Sequence, residues 1–191
     1  PGGYVNKQAL RVLISDGTNT ALSASATLKV MPAYTFVTVA GTPRSGSADG
    51  RGEAAGFNLP GGVAVDHTGN VYVADSGNDT IRKITPDGVV STRAGSPGVN
   101  GNANGAGNVA RFSFPRGVAV DSGGNIFVAD FFNYQNRRIA PDGTVTSFAG
   151  STRGTSGTND ATGSLARFYG PSSLAADGAG NNASAQFTVT V

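Results

Sequence analysis

The chain contains no cysteine, a single histidine and few charged side chains, and each shortage excludes a class of protein. Without cysteine, neither a disulfide framework nor a thiolate metal site can form. The one histidine, His67, cannot by itself supply the three or four ligands of a zinc site. No apolar run approaches the roughly 18 residues that cross a bilayer as a helix. The 14 basic and 12 acidic residues leave a net charge of only +2, whereas nucleic-acid-binding domains concentrate positive charge.

Glycine and small polar residues take the place of the missing charge. Of the 191 residues 29 are glycine, and only 14% are charged. This length is enough for one or two domains with a hydrophobic core. The N-terminal residues PGGYVNKQ carry no signal-peptide pattern, so we expect either that a leader has been removed or that the chain is an excerpt of a longer protein.

One stretch of the sequence recurs. PGGVAVDHTGNVYVADSGNDTIRKITPDG begins at Pro60, PRGVAVDSGGNIFVADFFNYQNRRIAPDG begins at Pro115, and PSSLAADGAGN begins a third copy at Pro171. The three starts lie 55 and 56 residues apart, and aspartate, glycine and phenylalanine positions keep this period. Several residue types that hold one period indicate a repeat architecture.

Each complete copy contains four short apolar runs. In the first copy these are residues 62–66, 71–75, 80–85 and 89–94. Runs rich in valine, isoleucine and tyrosine, separated by glycine, asparagine and aspartate, are typical of β-strands joined by tight turns. Four short antiparallel strands per copy are the plan of a propeller blade.

The sequences VAVDHTGNVYVADSGNDTIRKITPDG and VAVDSGGNIFVADFFNYQNRRIAPDG resemble NHL repeats, which form the blades of NHL-type β-propellers. The resemblance spans roughly residues 34–181. It includes the bacterial variant with long glycine-rich inserts between blades, here at 41–58, 95–113 and 150–169. It implies blades arranged radially around a central channel, with the GVAVD strand innermost. Such propellers close with about six blades.

The chain departs from that plan, because it has only two full blades, a preceding outer strand at 34–40 and a trailing inner strand at 173–177. VLISDGTNTALSASATLKV and DGAGNNASAQFTVTV resemble the last hairpin and the closing strand of bacterial immunoglobulin-like surface modules. The predicted fold class is therefore all-β: a partial NHL-type β-propeller with immunoglobulin-like β-strands at the termini. The predicted domains are an immunoglobulin-like hairpin and linker at 1–32, propeller blades at 33–181 and an immunoglobulin-like closing strand at 182–191.

The inserts between the repeats are long for loops, and loops of this length are usually functional or disordered. The second and third inserts end on Ala-Arg-Phe. We therefore expect Phe112 and Phe168 to anchor them under the next blade. The loop crests, which share one face of a repeat array, could then form a binding surface.

No residue pattern predicts a catalytic, cofactor-binding or metal site. His67 lies in a hairpin turn, and the histidine-bound zinc of the lyase members of this propeller family needs a set that the sequence cannot supply. Repeated aspartates such as Asp66 and Asp121 recur with the turns and are expected to accept backbone N–H bonds there. Calcium is the metal left open, because residues 49–53 form an acidic glycine-rich loop. The corresponding acids are missing from the second insert, which disfavours a repeated calcium site.

Six residues are candidate binding residues. Basic side chains fall on the third run of each repeat, and aromatic residues replace the polar turn of the second repeat. The candidates are Arg82, Arg137, Arg138, Phe131, Phe132 and Tyr134. Exposed aromatic residues in a row mark a contact site, and packing against an adjacent blade or subunit is the alternative. Some animal NHL propellers bind RNA through a basic face, but the net charge of +2 disfavours nucleic acid here.

We predict a non-enzymatic structural or binding protein of a bacterial extracellular surface or filamentous assembly. Its partners would be other copies in a homo-oligomer or filament, or neighbouring domains of a larger surface protein. Exposed strand edges would join them by β-strand or blade complementation. Two alternatives stay open: a protein- or glycan-binding propeller module excised from a larger surface protein, and a propeller-type lyase.

Overall fold

The structure, a computed structural model, describes residues 37–177 of the chain. These residues form nine β-strands and four short 3-10 helices. The strands are β1 (Gly50–Arg51), β2 (Pro60–Val65), β3 (Val71–Asp75), β4 (Thr80–Ile84), β5 (Val89–Gly95), β6 (Pro115–Val120), β7 (Ile126–Asp130), β8 (Gln135–Ile139) and β9 (Val145–Gly150). The 3-10 helices are Gly52–Ala54, Ser76–Asn78, Phe131–Asn133 and Gly163–Leu165. No helix in this part of the chain is long and apolar enough to span a bilayer.

The strands form two antiparallel sheets, one for each complete copy of the repeat. Sheet 1 has the order β1-β5-β4-β3-β2, and sheet 2 has the order β6-β7-β8-β9. Consecutive strands are neighbours because short turns join them, and the all-β prediction is confirmed. Strand β1 was not predicted. It comes from the first insert and pairs with the outer strand β5, so that it covers an edge that would otherwise be open.

The aspartate after each inner strand fixes the turn that follows, as the repeat predicts. The Asp66 carboxylate accepts hydrogen bonds at 2.9 Å from the backbone N–H groups of Thr68 and Asn70 and from the Asn70 side chain. Asp121 accepts hydrogen bonds at 2.8 Å from the backbone and side chain of Asn125. Partial desolvation opposes ionisation of Asp66, but its hydrogen bonds hold the pKa of this carboxyl well below its usual range.

The inner strands of adjacent repeats approach backbone to backbone, and glycine permits this. A Cβ atom at Gly61 or Gly62 would lie 2.7 Å from the Arg116 carbonyl oxygen on β6. Likewise, a Cβ atom at Gly117 would lie 2.9 Å from the Ser172 carbonyl oxygen in the third copy of the repeat. Both distances are too short for a real side chain in a close-packed interior. The third copy therefore continues the stacking of the first two.

The main core lies between the two sheets and takes in the end of the second insert. It consists of Tyr72, Ala74, Ile81, Ala94, Ala110, Phe112, Val118, Ile126, Val128, Ile139 and Val145. Phe112 is 0% exposed, so the second insert is anchored by its phenylalanine, as expected. Fully burying a side chain of this size contributes about 1.5–3 kcal/mol.

The predicted trailing strand at 173–177 is corrected by the structure. These residues form no β-ladder with any described residue. A strand needs a hydrogen-bonded neighbour, and the described part of the third copy supplies none. Instead, Leu174 is buried against Ala119, Phe127 and Ala129 of sheet 2.

The other predicted flanking segments are outside the strands or outside the description. Residues 37–40, the described part of the predicted outer strand, form no strand. The immunoglobulin-like segments predicted at 1–32 and 182–191 lie outside the described residues. Their assignment stays a prediction.

Candidate functional site

A buried arginine stands at the same position in each sheet: Arg82 on β4 and Arg137 on β8. Arg82 forms an ion pair with Asp75 at 2.8 Å. Arg137 forms an ion pair with Asp130 at 3.0 Å. All four side chains are 0% exposed. The strand pairing shifts register directly before each arginine, because the partner strand carries one extra residue there, Arg93 on β5 and Phe148 on β9.

In sheet 1 the Arg82 guanidinium also holds the first insert. Its Nη1 donates to the Gly56 carbonyl oxygen at 2.8 Å. Its Nη2 donates to the Ala48 carbonyl oxygen at 2.8 Å and to the Asp49 carboxylate at 2.7 Å. The guanidinium carbon lies 5.1 Å from the centre of the Phe57 ring, within range of a cation–π attraction. One side chain thus binds the middle and the end of the insert to the sheet that follows it.

Sheet 2 repeats this arrangement. Arg137 Nη1 donates to the Arg111 carbonyl oxygen at 3.0 Å. Its Nη2 donates to the Ala103 carbonyl oxygen at 2.9 Å and to the Asn104 side-chain oxygen at 2.6 Å. The Phe112 ring lies 5.4 Å from the guanidinium carbon. Because the contacts recur at the repeat period, they are a property of the repeat and not of one loop.

An asparagine completes each attachment. In sheet 1 the Asp75 carboxylate accepts a hydrogen bond from the Asn58 backbone N–H at 2.7 Å. Asn78 donates to Asp75 at 2.8 Å and to the Gly46 carbonyl oxygen at 2.7 Å. The corresponding residues of sheet 2 are Asp130, Ser113, Asn133 and Gly101. We call Asp75, Asn78 and Arg82, and likewise Asp130, Asn133 and Arg137, the insert clamps; both have the pattern Asp-x-x-Asn-x-x-x-Arg.

Burial perturbs the ionisation of the second clamp. Desolvation raises the pKa of Asp130 to about 6, although hydrogen bonds from Asn133 and Ser113 oppose the rise. The charge of Arg137 opposes it too. Desolvation also lowers the pKa of Arg137. The hydrogen bonds from Asn133 and Ser113 and the charge of Arg137 together favour the ionised Asp130 carboxylate, and Asp130 in turn favours the charged form of Arg137.

Two of the six sequence candidates are therefore interior residues. Arg82 and Arg137 are enclosed by their own inserts and present no surface to a ligand. Arg138 is exposed on β8. Successive side chains of a strand point to opposite faces, so of the neighbours Arg137 and Arg138 only Arg137 reaches the insert. The alternation of a strand predicts that Arg137 and Arg138 lie on opposite faces of the sheet, but it does not predict which face the insert covers.

The three aromatic candidates lie on the surface with residues that the sequence analysis did not select for binding. Phe131, Phe132 and Tyr134 belong to the turn between β7 and β8. The start of β6 and the end of the third insert contribute the others. We call Phe114, Arg116, Phe131, Phe132, Tyr134 and Tyr169 the aromatic face. Tyr169 comes from the third insert, whereas the other five residues belong to the second repeat or directly precede it. Strand pairing and loop packing bring them together, so no local sequence signal identifies the set.

Ring contacts preorganise this face. The Arg116 guanidinium carbon lies 3.9 Å from the centre of the Phe131 ring and 5.5 Å from that of Phe114. The Phe132 ring centre lies 5.0 Å from Phe131 and 5.6 Å from Phe114. Arg116 is therefore fixed against two rings before any partner arrives.

The outermost rings of the aromatic face are well exposed. Phe132 is 54% exposed and Tyr169 is 74% exposed. Tyr169 stacks on Tyr134 with 6.4 Å between the ring centres. Exposed aromatic rings beside a positioned arginine have the composition of a contact surface.

A cavity of about 660 Å³ lies between sheet 2 and the third insert. Its walls are Asn136, Phe148 and Ala149 of sheet 2 and residues 157–163 and 166–171. Asn136 is 1% exposed, and no described residue forms a hydrogen bond with its side-chain oxygen or nitrogen. The equivalent residue of sheet 1 is Ile81, which is part of the apolar core. The third insert therefore covers a polar wall where the second insert covers an apolar one.

Replacing Asn136 with isoleucine is expected to raise the free energy of unfolding by about 1–2 kcal/mol, because the change removes a buried amide whose desolvation is uncompensated. Urea unfolding followed by far-UV circular dichroism measures the difference. The reverse replacement, Ile81→Asn, is the matched control and should destabilise the chain. A loss of stability in Asn136→Ile would mean that the amide is satisfied in solution.

The predicted metal candidates are used in other ways. Within residues 37–177, no three His, Cys, Asp or Glu side chains converge as potential metal ligands. His67 is exposed in its turn. Asp49, from the acidic loop, binds Arg82 and accepts hydrogen bonds from Thr92. Partial burial opposes ionisation of Asp49, but these hydrogen bonds lower its pKa overall. Asp49 thus serves as an internal partner for an arginine.

Comparison with known families identifies the repeat. A family model described as NHL repeat matches residues 57–84 and 112–137. These ranges cover β2 to β4 in sheet 1 and β6, β7 and part of β8 in sheet 2. NHL repeat-containing protein 2 of Gallus gallus is 43% identical over 61 residues, which is 32% of this chain and 8% of that protein. The chain therefore contains NHL repeats.

Solved structures share the fold. A structural genomics protein of unknown function from Bacteroides thetaiotaomicron VPI-5482 matches with a TM-score of 0.57 and 24% identity, over 64% of this chain and 43% of that chain. An auxiliary nutrient binding protein from the same source matches with a TM-score of 0.56 and 25% identity, over 65% of this chain and 33% of that chain. The chain spans less than half the length of each of these proteins. Its two sheets have a propeller-like fold.

Proposed function

We propose that the chain is a non-enzymatic binding module of an NHL-type propeller, which holds a protein or glycan partner on its aromatic face at the surface of a bacterial cell. The observation that carries this function is the aromatic face, where Arg116 is packed on the Phe131 and Phe114 rings and the Phe132 and Tyr169 rings are exposed. Similarity to an auxiliary nutrient binding protein supports a role in binding.

The aromatic face has the chemistry of an interface core. Tyrosine, phenylalanine and arginine are enriched in such cores, whereas lysine and acidic residues are depleted. Arg116 is already packed on Phe131, so fixing it in a complex costs little additional side-chain entropy. Phe132 and Tyr169 offer the exposed area that a partner would bury.

The charged groups favour a structural use over a catalytic one. The insert clamps are closed to solvent, so a substrate has no access to their carboxylates. A lyase of the propeller type would need several histidine ligands for zinc, and the sequence has one histidine. These points support the non-enzymatic assignment.

Assembly of copies into a homo-oligomer or filament by β-strand or blade complementation is the second candidate function. The third insert favours it, because this loop is folded although no sheet of its own follows among residues 37–177. Light scattering on the full chain tests this candidate. A native mass above that of one chain supports it, and a single-chain mass contradicts it.

Double replacement of Phe132 and Tyr169 by serine is expected to weaken partner binding at least tenfold, because truncating an aromatic hot spot removes about 1–2 kcal/mol or more. The labelled full chain is applied to an array of immobilised peptides and oligosaccharides, and the affinity for each bound probe is then measured. Val109→Ser is the control, since Val109 is 55% exposed and lies outside the aromatic face. Probes that bind the wild type and the double variant equally would exclude the aromatic face.

A further inference from the structure

The third insert closes into the same loop as the second insert. The Gly157 N–H donates to the Phe168 carbonyl oxygen at 3.1 Å, and the Arg167 N–H donates to the Asn159 carbonyl oxygen at 3.0 Å. The second insert has the same two hydrogen bonds at 3.0 Å, in the pairs Gly101–Phe112 and Arg111–Ala103. The third insert therefore has the backbone conformation of the clamped second insert, although neither insert clamp binds it.

The acceptors that the clamps use in the first two inserts recur in the third. In the second insert they are the carbonyl oxygens of Gly101, Ala103 and Arg111 and the side-chain oxygen of Asn104. At the same repeat positions the third insert has the carbonyl oxygens of Gly157, Asn159 and Arg167 and the carboxylate of Asp160. No arginine or asparagine side chain of the described residues donates to this second set.

These acceptors line the 660 Å³ cavity beside sheet 2. The Phe168 ring is also on its wall, at the repeat position of Phe57 and Phe112, over which Arg82 and Arg137 lie. The unpartnered amide of Asn136, which is 1% exposed, lines the same space. The cavity thus combines an aromatic ring, a carboxylate, carbonyl oxygens that accept no side-chain hydrogen bond from the described residues, and a buried amide.

We propose that this cavity is a receptor for an arginine-bearing β-hairpin with the clamp pattern Asp-x-x-Asn-x-x-x-Arg. The guanidinium lies over Phe168 and donates to the Asn159 and Arg167 carbonyl oxygens and to the Asp160 carboxylate. The hairpin's asparagine donates to Gly157, and its aspartate accepts the Tyr169 backbone N–H. Every contact copies one that the two insert clamps already make.

The hairpin belongs to an NHL-type blade outside residues 1–191. Both clamps of this chain are fully engaged with their own inserts, so a second copy would first have to release an insert from Arg82 or Arg137. Residues 178–191 contain no arginine, lysine, aspartate or glutamate and cannot supply the pattern. The carboxylate at Asp160 also complements the positive charge of the expected arginine. The receptor adjoins the aromatic face but uses different groups.

A labelled peptide with the sequence of residues 124–150, which carries the second clamp pattern, tests the proposal on the full chain. Fluorescence anisotropy is expected to show binding to the wild type and at least tenfold weaker binding to Asp160→Arg. The peptide with Arg137→Gln should also lose at least tenfold. The control Asp87→Arg makes the same charge change in an exposed turn of sheet 1 and should bind like the wild type.

Equal binding to the wild type and to Asp160→Arg would overturn the proposal, as would equal affinity of the two peptides or no binding by the wild type. Far-UV circular dichroism confirms that Asp160→Arg is folded, which is expected because Asp160 is exposed. Light scattering on the chain alone gives the remaining outcome. Self-association that Asp160→Arg abolishes would make a second copy the occupant and would overturn the assignment to a separate blade.

Discussion

Replacing Arg137 with methionine is expected to lower the free energy of unfolding by about 3–5 kcal/mol, because the change leaves a buried carboxylate without its counter-charge. Asp130 is 0% exposed, and Arg137 is its partner at 3.0 Å. The same replacement removes the hydrogen bonds that hold the second insert at Ala103 and Arg111. Urea unfolding of the full chain, followed by far-UV circular dichroism, measures the loss.

Two further variants separate charge from packing at this position. Arg138→Met changes the exposed neighbour on the same strand and should alter stability by no more than about 0.5 kcal/mol. The double variant Arg137→Met with Asp130→Leu removes both charges and should recover much of the loss, since replacing a whole buried ion pair by apolar residues is often nearly neutral. A double variant as unstable as Arg137→Met would place the loss in the insert contacts instead of in the unpaired charge.

The loss of unfolding free energy caused by Arg137→Met should also depend on pH. Burial raises the pKa of Asp130 from 3.8 to about 6. Between these two values the carboxyl is protonated in the folded chain and ionised in the unfolded chain. The stability that this proton contributes is lost as the pH rises through the higher value. Without Arg137 the ionised Asp130 carboxylate lacks its counter-charge, whereas the protonated carboxyl needs none. The loss of unfolding free energy should therefore be smaller near pH 5 than near pH 8.

Phe112→Ala is expected to destabilise the chain by about 3–5 kcal/mol, because it opens a cavity between the two sheets. The Phe112 ring is 0% exposed, belongs to the core and lies beneath the Arg137 guanidinium. Phe168 has the same repeat position but is only partly buried at the open side of the third insert. Phe168→Ala should therefore destabilise the chain by less than about 1.5 kcal/mol.

The two alanine variants form a matched pair, since they remove the same ring from the same loop position. Thermal unfolding monitored by circular dichroism ranks them directly. Equal losses would mean that Phe168 is buried in solution as fully as Phe112, and that the cavity beside the third insert is closed. A loss of stability confined to Phe112→Ala would mean that the ring stabilises the chain only where a folded sheet packs on both of its sides.

The strands and turns could be predicted from the sequence because their signals are local. The run at 71–75 and the Asp66 turn follow directly from alternation and turn chemistry. Strand β1 could not be predicted, because two residues of a glycine-rich insert pair with β5 only when the whole insert lies along that strand. The burial of Arg82 was missed for a related reason. Arginine is most often exposed, and only the path of the insert encloses it.

The candidate site was predicted in part. Phe131 and Phe132 were selected because consecutive aromatic residues interrupt a polar turn. Arg116 joins them because β6 pairs with β7 in the same sheet, and Tyr169 joins them because the third insert packs against sheet 2. Neither contact is encoded in the local sequence. The recurrence of Asp75 and Arg82 at the repeat period was visible, but a period alone does not distinguish an interior partner from a surface charge.

The two-sided attachment of each insert decides where such a gene can be cut and rejoined. An insert meets the preceding sheet through apolar groups such as Phe112, and it meets the following sheet through the buried ions of the clamp. Apolar surfaces tolerate exchange when volume is kept, whereas a buried charge without its partner is not tolerated. A cassette running from 96 to 150 keeps each insert with its own sheet. Duplication or recombination at that boundary would lengthen the array without leaving an unpaired charge.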